Sequence, residues 1–223
     1  MRAVASWEEH FERERTRYED GEARLPDAVD ADDRQRQLTR MGNSAGGAGL
    51  ALLMQGRRDD AALWFGRAAQ RYRESFADAP AGSWGRPIGA VKARLLAGDW
   101  KGAEEAATWT LEAGAGESDS PIGQYAAALA HLVLGQNREA RATADSIRIR
   151  DDFPRDVADA LAAIAAEDLI LYAESVESVL GSFEKREEYL EDIPVADTVL
   201  VLQALAERRG LAAELSSPLL PSA

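Results

Sequence analysis

A chain of 223 residues with no cysteine and a formal charge of −13 can bury a core of its own, and it excludes disulfides, thiolate metal ligands and a thiol nucleophile. Its excess of carboxylates argues against general binding to nucleic acid, whose phosphates they would repel. Only Lys92, Lys101 and Lys185 are lysines; this balance suits solubility in concentrated salt, and a codon bias toward arginine and alanine would produce it equally well.

Met1 to Gly21 is charged throughout and lacks the apolar core of a secretory signal. The longest apolar runs, Ala160 to Ala166 and Val199 to Leu202, fall short of the roughly 20 residues that span a bilayer. A soluble cytoplasmic protein with no membrane partner is expected.

Ser6 followed by Glu9 is a capping-box pattern that opens a helix carrying Trp7, Phe11 and Tyr18 on a narrow stripe. Too thin to fold alone, this N-terminal arm, residues 1–40, is expected to lie against the body. Gly21 to Asp33, with Pro26 and several acids, reads as a connector. Residues 1–33 carry a net charge of −6 and residues 34–73 one of +6, which most simply means that the two pair within one molecule. The sharper alternative is that Arg57, Arg58, Arg67, Arg71 and Arg73 form a patch for an acidic partner or RNA.

Gly42 to Gly49 (GNSAGGAG) imitates a phosphate loop but lacks the Lys-Ser/Thr that must follow, and no strand precedes it. Its small residues predict a helix running through or restarting here, with another helix packed close.

Pro87, Pro121, Pro154 and Pro194 each stand before an apolar helical run, spaced 34, 33 and 40 residues apart; proline starts helices well, and periods near 34 mark helix-turn-helix repeats. Turns are expected at Gly56, Gly98, Gly135, Asp168 and Gly210, and after the first four a small residue comes five positions on, at Ala61, Ala103, Ala140 and Ala173. The ladder Gly49, Ala51, Gly56, Ala61, Phe65 and Ala68 resembles the tetratricopeptide repeat. The resemblance fades along the chain, with Ala107 and Thr110, then Ala144 and Ile147, at the later aromatic and alanine positions. It implies an all-α superhelix of antiparallel helix pairs over residues 41–193, closed by a capping helix and tail over 194–223, all in one domain. FEKREEYLED (183–192) reads as the end of the fourth pair's second helix. Leu219 and Leu220 would pack on the cap or form an exposed homodimer contact.

No HExxH, GxSxG or paired-cysteine pattern occurs, and His10 and His131 lie too far apart in sequence to suggest a shared metal site. No catalytic, cofactor or metal residue is therefore assigned. Stacked helix pairs make a concave face lined by their first helices, and in the family that this ladder resembles that face holds ligand peptides. Spacing proposes Arg86, Lys92, Arg94, Gln124, Tyr125 and His131 as its polar binding residues, with Lys92 and its two neighbouring arginines meeting a carboxylate or an acidic peptide. The expected function is a non-catalytic adaptor for another protein or peptide. The alternatives are an acidic neutralising partner of a basic enzyme, immunity- or antitoxin-like, and a helical protein that binds or hydrolyses a small molecule.

Overall fold

Helix starts follow from local capping. The Ser6 hydroxyl accepts from the Glu9 amide at 3.2 Å while the Glu9 carboxylate accepts from the Ser6 amide at 2.7 Å, so two donors at the helix start are satisfied reciprocally. Asp30, Asp99, Ser120 and Asp168 cap later helices in the same way through one side-chain oxygen. The structure is a computed structural model that describes residues 6–222. Among these it is all-α, with ten helices packed consecutively and no strand: α1 (Trp7–Arg24), α2 (Ala31–Met54), α3 (Arg58–Phe76), α4 (Gly85–Leu96), α5 (Trp100–Glu112), α6 (Pro121–Val133), α7 (Asn137–Arg148), α8 (Arg155–Ala166), α9 (Leu169–Glu184) and α10 (Asp197–Glu207). No helix among the described residues is long and apolar enough to cross a membrane.

The connector expected at Gly21 to Asp33 is shorter than its composition suggests. The first helix continues through Gly21 to Arg24, because a side chain at 21 would meet Met41 of α2 at 2.6 Å and glycine lets the two helices touch. The second runs unbroken across position 40, where the sequence reading had divided arm from body, and on through GNSAGGAG. The arm does lie on the body: Phe11 and Tyr18 both meet Trp64 of α3 edge to face. Acidic arm and basic segment also pair directly, through Arg71–Glu22 at 2.8 Å and Arg57–Glu8 at 3.8 Å. The five arginines do not gather into one patch; Arg67 stacks over Trp64, Arg73 over Trp109, and Arg58 faces a cleft near α10.

Four hairpins follow, α2/α3, α4/α5, α6/α7 and α8/α9, with each first helix also touching the next first helix. Gly56, Gly98 and Gly135 turn three of them at positive φ. The fourth turn falls at Glu167 (φ 56°), one residue before the predicted Asp168, which caps the following helix instead. Counted from these left-handed residues, positions five, nine and twelve onward are buried in every hairpin. The fifth position is Ala61, Ala103 and Ala140 in three of them but Tyr172, not Ala173, in the last. Three hairpins cross on a methyl group, and the fourth crosses on a ring whose hydroxyl donates to Gln203 of α10 at 2.5 Å.

One apolar cluster occupies α1 to α4 and a larger one α4 to α10, so α4 faces both. The last helix is more than an end cap. It packs on α4 as well as on α8 and α9, and the tail follows it, with Leu219 accepting from the Ala196 amide at 3.0 Å. Of residues 183–192, expected to finish α9, only Phe183 and Glu184 do so. That helix stops at Glu184, the Tyr189 hydroxyl donates back to the Phe183 carbonyl at 2.9 Å, and Glu191 and Asp192 both take left-handed backbone.

Candidate functional site

The loop 185–196 lies over the inner sides of α2 and α4 and encloses a cavity of about 420 Å³. Its floor is Tyr72 of α3, a ring seen between the other two helices. Side chains at Gly42 and Gly89 would meet that ring at 2.9 and 2.6 Å, so both helices must be bare where they grip it. This is what the glycine-rich stretch provides, together with Gly49, whose missing side chain admits Phe65.

From the Tyr72 hydroxyl a hydrogen-bonded chain crosses the cavity wall to the arm. Tyr72 donates to Asn43 Oδ1 at 2.9 Å, Asn43 Nδ2 donates to one oxygen of Glu191 at 3.2 Å, and Arg17 donates to the other at 2.9 Å. Arg13 donates to the Glu191 carbonyl. Arg13 and Arg17 also share Glu14, a fully buried carboxylate, at 2.7 and 3.0 Å. Burial raises the Glu14 pKa above the usual carboxylate value, against the pull of the two arginines. His10, one turn earlier on α1, is buried with Nδ1 unpartnered, and burial, helped by Arg13, lowers its pKa. Tyr72 is itself held protonated by burial and by the charges of Asp197 and Glu191.

At the mouth, Arg86 donates from Nε to Thr39 at 3.1 Å and from Nη2 to Gln35. Both acceptors are neutral, and no carboxylate among the described residues pairs with it. Burial lowers its pKa, the mark of a guanidinium whose charge is not answered. Lys92 is different: it donates to Asp197 and, at 3.2 Å, to Thr198, both on α10. Burial opposes its charge, but Asp197 more than offsets this and the pKa rises.

The six residues chosen from spacing do not converge. Arg86 and Lys92 line the cavity, and Tyr125, against Phe153, lies close enough to Lys92 to feel its charge. Arg94 turns away to pair with Asp99 at 2.8 Å beside Trp109. Gln124 is half-buried with its Oε1 unpartnered, and His131 meets Gln136 at 2.6 Å at the end of α6. Trp84, in the loop before α4, is half-buried against Phe76. Asn43, Tyr72, Arg13 and Glu191 were missed. Their only sequence signal is the row of glycines, which foretells a close neighbour without saying which.

A second, larger cleft of about 1310 Å³ opens between the turn ends of the first two hairpins, α10 and the tail, with Leu53, Trp100, Leu200 and Leu220 on its walls. Among the described residues no three His, Asp or Glu side chains gather as a metal site would need. Comparison with protein-family models, with curated proteins and with solved structures gives no match to this chain.

Proposed function

We propose that this protein is a non-catalytic interaction module, a tetratricopeptide-like superhelix of helix pairs that receives a segment of another protein in the cleft beside α10. The observation that carries this reading is that the inner side of the first helices already holds polypeptide. Residues 185–222 run along it, fixed by side-chain bonds to backbone as well as by ion pairs: Arg13 of α1 donates to the Glu191 carbonyl of the segment, and Arg209, just past α10, donates to the Leu132 carbonyl of α6 at 2.7 Å. Bonds to backbone are the means by which a groove grips chain with little regard to sequence. Contact of each first helix with the next, and burial of the same three positions in each second helix, support the superhelical reading.

With the concave face filled by its own C-terminal segment, the cleft lined by Trp100 and Leu200 is the larger concavity left open to a partner, its walls apolar and charged alike. The partly buried carboxylates of the smaller cavity are engaged, Asp197 with Lys92 and Glu191 with Arg17 and Asn43, which favours binding over acid–base chemistry. The test is capture of partners from native cytoplasm at its own salt concentration. Ala204→Arg, which fills the cleft from the half-buried side of α10, should lose what the wild type captures, and Arg141→Ala, remote from the cleft, should keep it. An identical captured set for all three would remove the cleft from consideration.

A further inference from the structure

The cavity under the 185–196 loop has a polarity of its own. Its lining on α4 runs from Arg86 to Leu96 and on α2 from Thr39 to Leu50, about 15 Å at 1.5 Å per residue. Arg86 touches Thr39, so both rows begin at the same end, and that end carries the charge. The opposite end is Leu50 and Leu96, with Ile193 and Val195 of the loop across from them.

The other partly buried charges at the cavity are paired, whereas Arg186 and Glu188 have no ion-pair partner among the described residues and lie in solvent. Glu191 is held by Arg17 and Asn43, and Asp197 by Lys92. Among the partly buried charges this leaves Arg86 without a counter-charge, positioned by two neutral acceptors, with Nη1 turned to no partner among the described residues. It sits in the first turn of α4. A volume of about 420 Å³ is in the range of small-molecule sites.

From this geometry we propose that the cavity binds a small amphipathic carboxylic acid, its single negative charge on Arg86 and its apolar body lying along α2 and α4 toward Leu50 and Leu96. One partly buried, unanswered positive charge fits one negative charge; a dianionic phosphate head would bring a second charge into a half-enclosed site with no further partly buried cation to meet it. The site adjoins the cleft beside α10 at Leu96 but does not depend on that cleft having a partner.

Isothermal titration of the full-length protein with decanoate, below its micelle concentration, tests the assignment against decan-1-ol, decyl phosphate and acetate. Decanoate should saturate one site per chain, with decan-1-ol and decyl phosphate each at least about tenfold weaker and acetate silent. Arg86→Gln should weaken decanoate by a similar factor and leave decan-1-ol unchanged. Gly46 lines the cavity, and a side chain built there meets nothing within 4 Å. Gly46→Leu should therefore plug the site and abolish both ligands while the protein melts no lower than wild type. The proposal is overturned if decanoate does not bind, if decan-1-ol or decyl phosphate binds as well, if Arg86→Gln makes no difference, or if Gly46→Leu still binds.

Discussion

His10 and Glu14, one turn apart on α1, titrate against each other's trend. Burial holds the His10 imidazole pKa below its ordinary 6.5, so the folded protein resists protonation there. The stability it contributes is complete above that value and falls as pH drops toward the lower folded pKa. Glu14 has the opposite sign: its pKa is raised, so its contribution is greatest below about 4.5 and declines as pH rises through the shifted value. Melting curves across pH 4 to 8 should show the fall below about 6.5 flattened in His10→Gln and the loss on the alkaline side of 4.5 flattened in Glu14→Gln. The glycines of α2 divide as sharply. Gly42→Ala drives a methyl into Tyr72 and should cost about 1–3 kcal/mol, whereas Gly46→Ala meets open space in mid-helix and should gain about 0.5–1 kcal/mol, both read from urea denaturation. Composition announced a close approach at GNSAGGAG. It could not announce that the visitor is a tyrosine 29 or 30 residues on, because nothing local to either segment depends on the other.

Helices were the legible elements, since each carries its own apolar stripe and α1, α2, α5, α6 and α9 also their own side-chain caps; their partners were not. The stripe of α10 would suit any helix, and only the ion pair of Lys92 with Asp197 records its choice of α4. That pair is partly exposed, so Lys92→Glu or Asp197→Lys alone should cost about 1–2 kcal/mol and raise amide exchange in α10. Lys92→Asp with Asp197→Lys should recover at least half. Equal losses in single and double variants would mean that α10 is held by packing alone. The run after α9 misled because charged residues with two aromatics at a six-residue spacing read as helix, while the paired left-handed residues Glu191 and Asp192 are set by the contacts that Arg13, Arg17 and Asn43 make from far away in sequence.

In a linear stack, loss of the last unit removes one interface and leaves the rest intact. Here the closing segment touches the first hairpin and the arm, so deleting 185–223 should uncover the inner sides of α2, α4 and α6 together. Increased binding of a hydrophobic dye and a broadened melting transition would show it. The periodic prolines and alanines foretold a succession of hairpins; that the end returns to the beginning was beyond them, because periodicity describes neighbours and the return joins strangers. The fold of the loop over α2 and α4 has a consequence during synthesis. About 100 residues separate the end of α4 from the start of α10, so at roughly 5–20 residues per second the nascent protein waits some 5–20 s with the oily walls of its future cavity bare. Ribosome-bound intermediates of this length are the ones that chaperones should recognise, and the emergence of residues 185–207 is the event that frees them.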